Sequence, residues 1–191
     1  MILYILWRFG ILGDCKLNEY WDVCNINGIK LGYSKHSSEE FCEGEYHIGA
    51  SLWIANPQGD LLIQKRAASK KVCPNLWSIT GGKVQAGESS TTACLREVRE
   101  EIGLILCEHD ISFLYRSIGA DMLFDDYIVI LDFQINEVIL NLSEVSKIKW
   151  ASLDEIMHLY IINKFMYNNI LELSKVKDYL KTHLADFQKK L

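Results

Sequence analysis

The chain has no basic excess. Its 20 Lys and Arg stand against 25 Asp and Glu, a formal net charge of −5 over 191 residues, which leaves no footprint for nucleic acid and no pull toward anionic membranes. It also lacks any C-x-x-C pair or zinc-finger spacing among its six cysteines, at 15, 24, 42, 73, 94 and 107. They read as reduced thiols in a cytoplasmic protein. Repeats and low-complexity segments are missing. No apolar run reaches the roughly 20 residues of a membrane-spanning helix; the stretch from Met1 to Leu12 is too short and carries Arg8 within it. A secretory signal would place its positive charge first and a small-residue cleavage site afterwards. Residues 1–18 are therefore an apolar N-terminal extension, read as a docked strand or helix, or as the product of an upstream translation start before Leu17. Residues 19–191 suffice for one domain with a full core.

What the chain does have is concentrated in residues 81 to 104, GGKVQAGESSTTACLREVREEIGL. A helix turns about 100° per residue, so Glu97, Glu100 and Glu101 share an arc of about 100°. Cys94, Leu95, Val98 and Ile102 fill the adjoining arc, the width of a core-facing stripe. Like charges at these spacings destabilise a helix, and Gly103, a natural C′ residue, puts Glu100 and Glu101 in the last turn, where the macrodipole is already negative. Arg96 and Arg99 on a solvated face would answer part of this, with Glu100 in reach of Arg96 at i−4. Glu97 and Glu101 are expected to face each other without an arginine between them. A divalent cation resolves the conflict, because Mg²⁺ and Mn²⁺ prefer carboxylate, carbonyl and water oxygens. Ahead of the helix, Gly81-Gly82 follows the apolar run Leu76 to Thr80, and Gly87 precedes Glu88. The expected unit is strand, glycine loop, helix, capped by Ser89 or Ser90, with an ordinary turn as the plainer reading of the glycines.

Gly82, five residues, Glu88, seven residues and then REVREEIGL from Arg96 to Leu104 match every specified position of the box of the Nudix hydrolase (MutT-like) family. The chain resembles that family over residues 82–104. The resemblance implies an α/β fold, the Nudix α/β/α sandwich with a mixed β-sheet and a loop-helix-loop. It implies that Glu97, Glu100 and Glu101, with the carbonyl of Gly81, hold Mg²⁺ or Mn²⁺, and that Glu88 and Arg96 form a supporting ion pair. The implied reaction is pyrophosphohydrolysis, cleavage of a phosphoanhydride in a nucleoside diphosphate linked to another group, so the implied partner is a nucleotide-type small molecule; a homodimer stays open. A broader likeness over residues 19 to 160, in WDVCNINGIKLGYSKH, EGEYHIGASLWIANPQGDLLIQKRAASK and CPNLWSITGG, is to the Nudix subgroup related to isopentenyl diphosphate isomerase. That raises an isomerase as the alternative, although such enzymes carry a catalytic cysteine after the tryptophan matching Trp77, where this chain has Ser78, Ile79, Thr80, Gly81 and Gly82. A non-catalytic nucleotide sensor is a third reading, which three intact glutamates argue against.

Two candidates remain for the general base. One is a box glutamate, Glu100; the other is Glu144, whose place before Trp150 resembles that of a later-loop glutamate in Nudix enzymes, with a solvated loop carboxylate as the plain reading. Glu137, Asp125 and Asp126 are weaker alternatives. Lys65 and Arg66, at the end of a strand, and Gly82 are the candidates for contacting substrate phosphate; Lys65 in particular also reads as surface charge. Tyr46, Trp53 and Tyr127 could line a pocket, but strand aromatics are more often core. Cys73 beside Pro74 has a low prior as a nucleophile, and His47 and His158 read as structural.

The remaining elements follow from pattern. Glu19–Val23, Asn27-Gly28 and Gly32 suggest a hairpin, and Ser37 to Glu40 a polar loop. Tyr46–Ala55, the turn Asn56-Pro57-Gln58-Gly59 and Leu61–Arg66 form an antiparallel pair. Residues 112–118 and 127–135 read as strands with Asp125-Asp126 between them, and Lys147–Ala151 as a further strand. The tail from about 153 to 191 has helical periodicity in two segments that part near Tyr167-Asn168-Asn169.

Overall fold

A computed structural model describes residues 19–166 and 170–189. The apolar extension 1–18 and the expected helix break at Tyr167-Asn168-Asn169 lie outside the described residues.

The chain opens with a hairpin of β1 (Tyr20–Cys24) and β2 (Lys30–His36). Its turn is built by Asn25, whose Oδ1 accepts the N–H groups of Asn27 and Ile29 at 3.0 and 3.1 Å, and by Gly28 at φ 78°. Strands β3 (His47–Ala55), β4 (Leu61–Arg66), β5 (Trp77–Ser78), β6 (Thr80–Lys83), β7 (Ser112–Ile118), β8 (Met122–Ile130) and β9 (Val145–Ala151) form one sheet. Its order is β5-β4-β3-β8-β7, with β6 also on β3 and β9 also on β4. The sheet is mixed because β3 and β8 run parallel while the other pairs are antiparallel.

Side chains alternate across a strand, and β3 shows what this achieves. Ala50, Leu52 and Ile54 face helix α1 (Ser90–Ile102), meeting Ala93, Cys94, Val98 and Ile102. Trp53 and Ala55 point the other way, onto Ile156 of α2 (Leu153–Ile161) and Leu173, Val176 and Leu180 of α3 (Leu173–Gln188). Helices thus cover both faces, the layering expected from the resemblance. Helix α1 starts where Ser89 accepts the Thr92 N–H at 3.0 Å and stops at Gly103, φ 71°, whose N–H returns to Arg99 O at 3.1 Å.

Two expectations are corrected. Gly81-Gly82 is not a loop: both glycines lie in β6, paired with Ser51 and Ala50 of β3. The strand expected at 127–135 runs instead from Met122 to Ile130 and contains Asp125 and Asp126, both buried. Because β8 is covered on both faces, it has no polar alternation to announce where it begins. Asp125 is tolerated there because Arg116 of β7 meets it with two hydrogen bonds, 2.6 and 2.8 Å. Among the described residues no helix is long and apolar enough to cross a membrane, and Cys24, Cys42, Cys73, Cys94 and Cys107 carry free thiols.

Candidate active site

The site is set by how closely α1 approaches β6. A Cβ on Gly82 would lie 2.4 Å from the Glu97 carboxylate, and one on Gly81 would lie 2.5 Å from Ala50 O. The glycines therefore serve space: Gly81 lets β6 close on β3, and Gly82 leaves the volume that the Glu97 carboxylate enters.

Arg96 organises the acids around it. Its Nε and Nη2 donate to the two oxygens of Glu88 at 2.8 and 3.1 Å, and Nη2 also reaches Lys83 O at 3.0 Å. Nη1 donates to Glu97 at 2.6 Å and stands 3.7 Å from Glu100. Arg96 thus bonds Glu97 as well as standing near Glu100, while Glu101 meets Gln64 and the Gly81 N–H instead. Neighbouring helix positions do not normally face each other, yet the long guanidinium curls back, drawn in by Glu88 and the β6 carbonyl. Burial works against the Arg96 charge, but Glu88 and Glu97 outweigh it and raise its pKa above the ordinary value. Burial opposes ionisation of Glu88 as well, and the bonds from Arg96 and the Gln85 N–H prevail and lower its pKa.

Glu101 is placed differently. It is only 5% exposed, and its Oε2 accepts from Gln64 Nε2 at 2.8 Å and from the Gly81 N–H at 3.2 Å, two neutral donors. Burial first, and the nearby Glu97 charge second, push its pKa up to about 8. Gln64 is itself held, since its Oε1 accepts from the Thr80 hydroxyl at 3.2 Å. Neither residue was expected from the sequence to belong to the site. The available signal was a lone amide in the apolar strand Leu61–Arg66 on the same face as Leu62. A buried acid beside a second acid, answered by neutral donors, fits a hard divalent cation, which prefers oxygen ligands.

The other candidates separate by place. Alternation along β4 puts Arg66 on the face of Gln64, where its charge acts on Glu101, and Lys65 on the opposite face with Ile63. Arg66 Nε donates to Val72 O at 3.0 Å, closing the 67–76 connection. The loop bearing Glu144 is tied to the site by backbone: Asn141 N–H donates to Glu101 O at 3.0 Å and Ala67 N–H to Glu144 O at 2.8 Å. The Glu144 carboxylate is ion-paired with Lys70. Glu137 caps a 3₁₀ turn by accepting Gln134 N–H at 2.9 Å. Burial pushes Asp126 up to about 7, against a hydrogen bond from Ser51. Trp53 and Tyr127 are core residues, the latter bonded through its hydroxyl to Ser90 and Thr91. His47 is buried and stacked on Trp21, and His158 is exposed.

Comparison with known proteins gives the family. The NUDIX domain family model matches residues 45–172. The chain belongs to the Nudix hydrolase family. An uncharacterised Nudix hydrolase of Listeria monocytogenes is 31% identical over 173 residues, covering 86% of this chain and 99% of that protein. Isopentenyl-diphosphate Delta-isomerase of Escherichia coli O139:H28 is 26% identical over 146 residues, 73% of this chain and 80% of the isomerase. Among solved structures, DR0079 from Deinococcus radiodurans superposes with a TM-score of 0.67 at 22% identity, over 84% of this chain and 98% of its own. A MutT protein from Methanosarcina mazei Go1 does so at 0.51 and 22%, over 72% and 95%. At those identities the structural likeness is one of fold, and the mixed sheet between helices is the Nudix fold. The segment 82–104 that resembles the Nudix box runs from a sheet strand, β6, through α1.

Proposed function

We propose that this Nudix hydrolase cleaves a phosphoanhydride bond in a nucleoside diphosphate linked to another group, with Mg²⁺ or Mn²⁺ held by Glu97, Glu100, Glu101 and the Gly81 carbonyl. The observation that carries the reading is the acid cluster itself: Glu101 buried beside Glu97, with Glu88 and Arg96 bracing the helix that bears them. When bound, such an ion lowers the pKa of an attacking water and offsets phosphate charge during in-line displacement.

The chain's own residues supply orientation and proton transfer. Arg96 fixes the Glu97 carboxylate through the 2.6 Å bond and is itself fixed by Glu88. Gln64 and the Gly81 N–H aim Glu101. Glu100, with 36% of its side chain exposed, is the carboxylate of the three most open to water and is the first choice to receive its proton; Glu144 is the second. Arg66, on the Glu101 face, and the backbone at Gly82 are the parts that would meet substrate phosphate. Lys65, on the other face, is the weaker phosphate candidate.

The similarity to isopentenyl-diphosphate isomerases favours a second reading, double-bond movement in an isoprenoid diphosphate. The segment after Trp77 weighs against it, because Ser78, Ile79, Thr80, Gly81 and Gly82 provide no thiol for the proton transfer.

The test is a Mg²⁺ and Mn²⁺ activity screen across nucleoside triphosphates, nucleotide sugars, dinucleotides and isopentenyl diphosphate. Hydrolysis of a nucleotide substrate that is lost in the combined Glu97→Gln, Glu100→Gln and Glu101→Gln variant supports the proposal. Isomerised isopentenyl diphosphate without phosphate release, or undiminished hydrolysis in the triple variant, overturns it. Separate Glu100→Gln and Glu144→Gln variants assign the base, the correct one losing the acid-limb pKa of its kcat profile, below which the base would be protonated.

A further inference from the structure

Just past the box the chain closes an exposed 3₁₀ turn, Glu108–Asp110, preceded by Cys107. There Cys107, His109 and Asp110 bring a thiol sulfur, an imidazole nitrogen and a carboxylate oxygen within 4.8 Å of one another. The turn itself arranges them. Asp110 Oδ2 accepts the Cys107 N–H at 2.7 Å, and the Asp110 N–H donates to Cys107 O at 3.0 Å. The second carboxylate oxygen, Oδ1, is left facing His109 Nε2 at 3.5 Å.

The last of those distances is that of a known coordination geometry. Zinc bonds of about 2.0 to 2.3 Å in a tetrahedron separate neighbouring ligand atoms by roughly 3.3 to 3.7 Å. The His109–Asp110 edge already has that length, and the side chain of His109, 84% exposed, is free to turn toward the sulfur. The donor set also discriminates. Sulfur with imidazole suits Zn²⁺ and Co²⁺, whereas Mg²⁺ and Mn²⁺ favour oxygen ligands such as the box glutamates. We propose that Cys107, His109 and Asp110 form a second cation site, selective for ions of the Zn²⁺ class, with the fourth position open to water. On ligation the Cys107 thiol releases its proton to solvent and binds as thiolate. Leu104 and Leu106 pack against the same core cluster as α1, so an ion at this turn braces the segment leaving the box.

The experiment is a Co²⁺ titration of the full chain in excess Mg²⁺, read by absorption. The proposal expects one equivalent of Co²⁺ with a thiolate-to-metal charge-transfer band in the near ultraviolet, displaced by Zn²⁺. Cys107→Ser should abolish the band. His109→Ala should weaken Co²⁺ binding by about tenfold or more, at least as much as losing a mere ligand-orienting partner costs. The triple box-glutamine variant should keep the band, so this site can fail or succeed independently of the hydrolase reading. A titration without the band, or a band that survives in Cys107→Ser, overturns the proposal.

Discussion

At the scale of single residues, the site depends on an absence and on an amide. The absence is the side chain at position 82. Gly82→Ala would drive a methyl to 2.4 Å from the Glu97 carboxylate, and the carboxylate, at the end of a flexible chain, would yield. Displacements of about 1 Å at a catalytic centre cost on the order of 100-fold, so Gly82→Ala should lose about that much in kcat/KM while its thermal midpoint changes little; paired kinetics and melting curves check both. The amide is Gln64, which donates to Glu101 at 2.8 Å. Loss of a partner that orients a metal ligand costs about 10- to 100-fold in metal affinity. Gln64→Leu should therefore raise the Mg²⁺ concentration needed for half-maximal activity by that factor and recover most of kcat at saturation. Equal losses at every Mg²⁺ concentration would remove Gln64 from this role.

At the scale of elements, α1 carries the three candidate metal ligands, Glu97, Glu100 and Glu101, and its ends are defined locally. Ser89 caps the first turn through the Thr92 N–H, and Gly103 takes the left-handed conformation that stops the last. Replacing an N-cap serine by alanine costs about 1 kcal/mol. Ser89→Ala should lower the urea midpoint accordingly with an unchanged m-value, and leave the KM for Mg²⁺ unaltered, because the Ser89 hydroxyl bonds Thr92 and none of Glu97, Glu100 and Glu101. The same helix shows why its acids and the i−4 approach of Arg96 to Glu100 were legible, while the partners of Glu97 and Glu101 were not. Periodicity places Glu97, Glu100 and Glu101 on one arc from spacing alone. That Arg96 turns back to its neighbour Glu97 depends on Glu88 and Lys83 O, which are brought to it by the fold of the preceding loop. Strand β8 is the counterpart: buried on both faces, it offered no period from which to read that Asp125 and Asp126 lie within it.

At the scale of the whole molecule, His47 joins the β1-β2 hairpin to the main sheet. Its ring stacks on Trp21 at 4.5 Å and lies 4.9 Å from Phe41, while Lys83 Nζ stands 3.4 Å from Nε2. Burial first, and the Lys83 charge second, lower its pKa from 6.5 to about 2. Between those values the unfolded chain holds a proton that the folded chain refuses. Stability is therefore full above the unfolded pKa and falls as pH drops below it, by about 2 kcal/mol between about pH 8 and pH 5. His47→Phe, which keeps the stacking, should remove that share of the acid sensitivity. Denaturant unfolding of both proteins across this range measures it, and parallel pH profiles would refute the assignment.

The sequence by itself determined the helix of the Nudix-like segment, a serine cap at 89 or 90, the stop at Gly103, the shared face of three acids, the hairpin turn at Asn27-Gly28 and the pairing of β3 with β4. All of these rest on interactions a few residues apart, where spacing and backbone preference are sufficient. Tertiary structure alone decided that Gly81 and Gly82 belong to a strand, that Gln64 and Thr80 hold Glu101, and that the Arg66 charge acts on Glu101. These depend on contacts between segments distant in the chain, β6 against β3 and β4 against α1. No local pattern encodes such contacts, because burial and hydrogen-bond partners exist only once the sheet has brought the segments together.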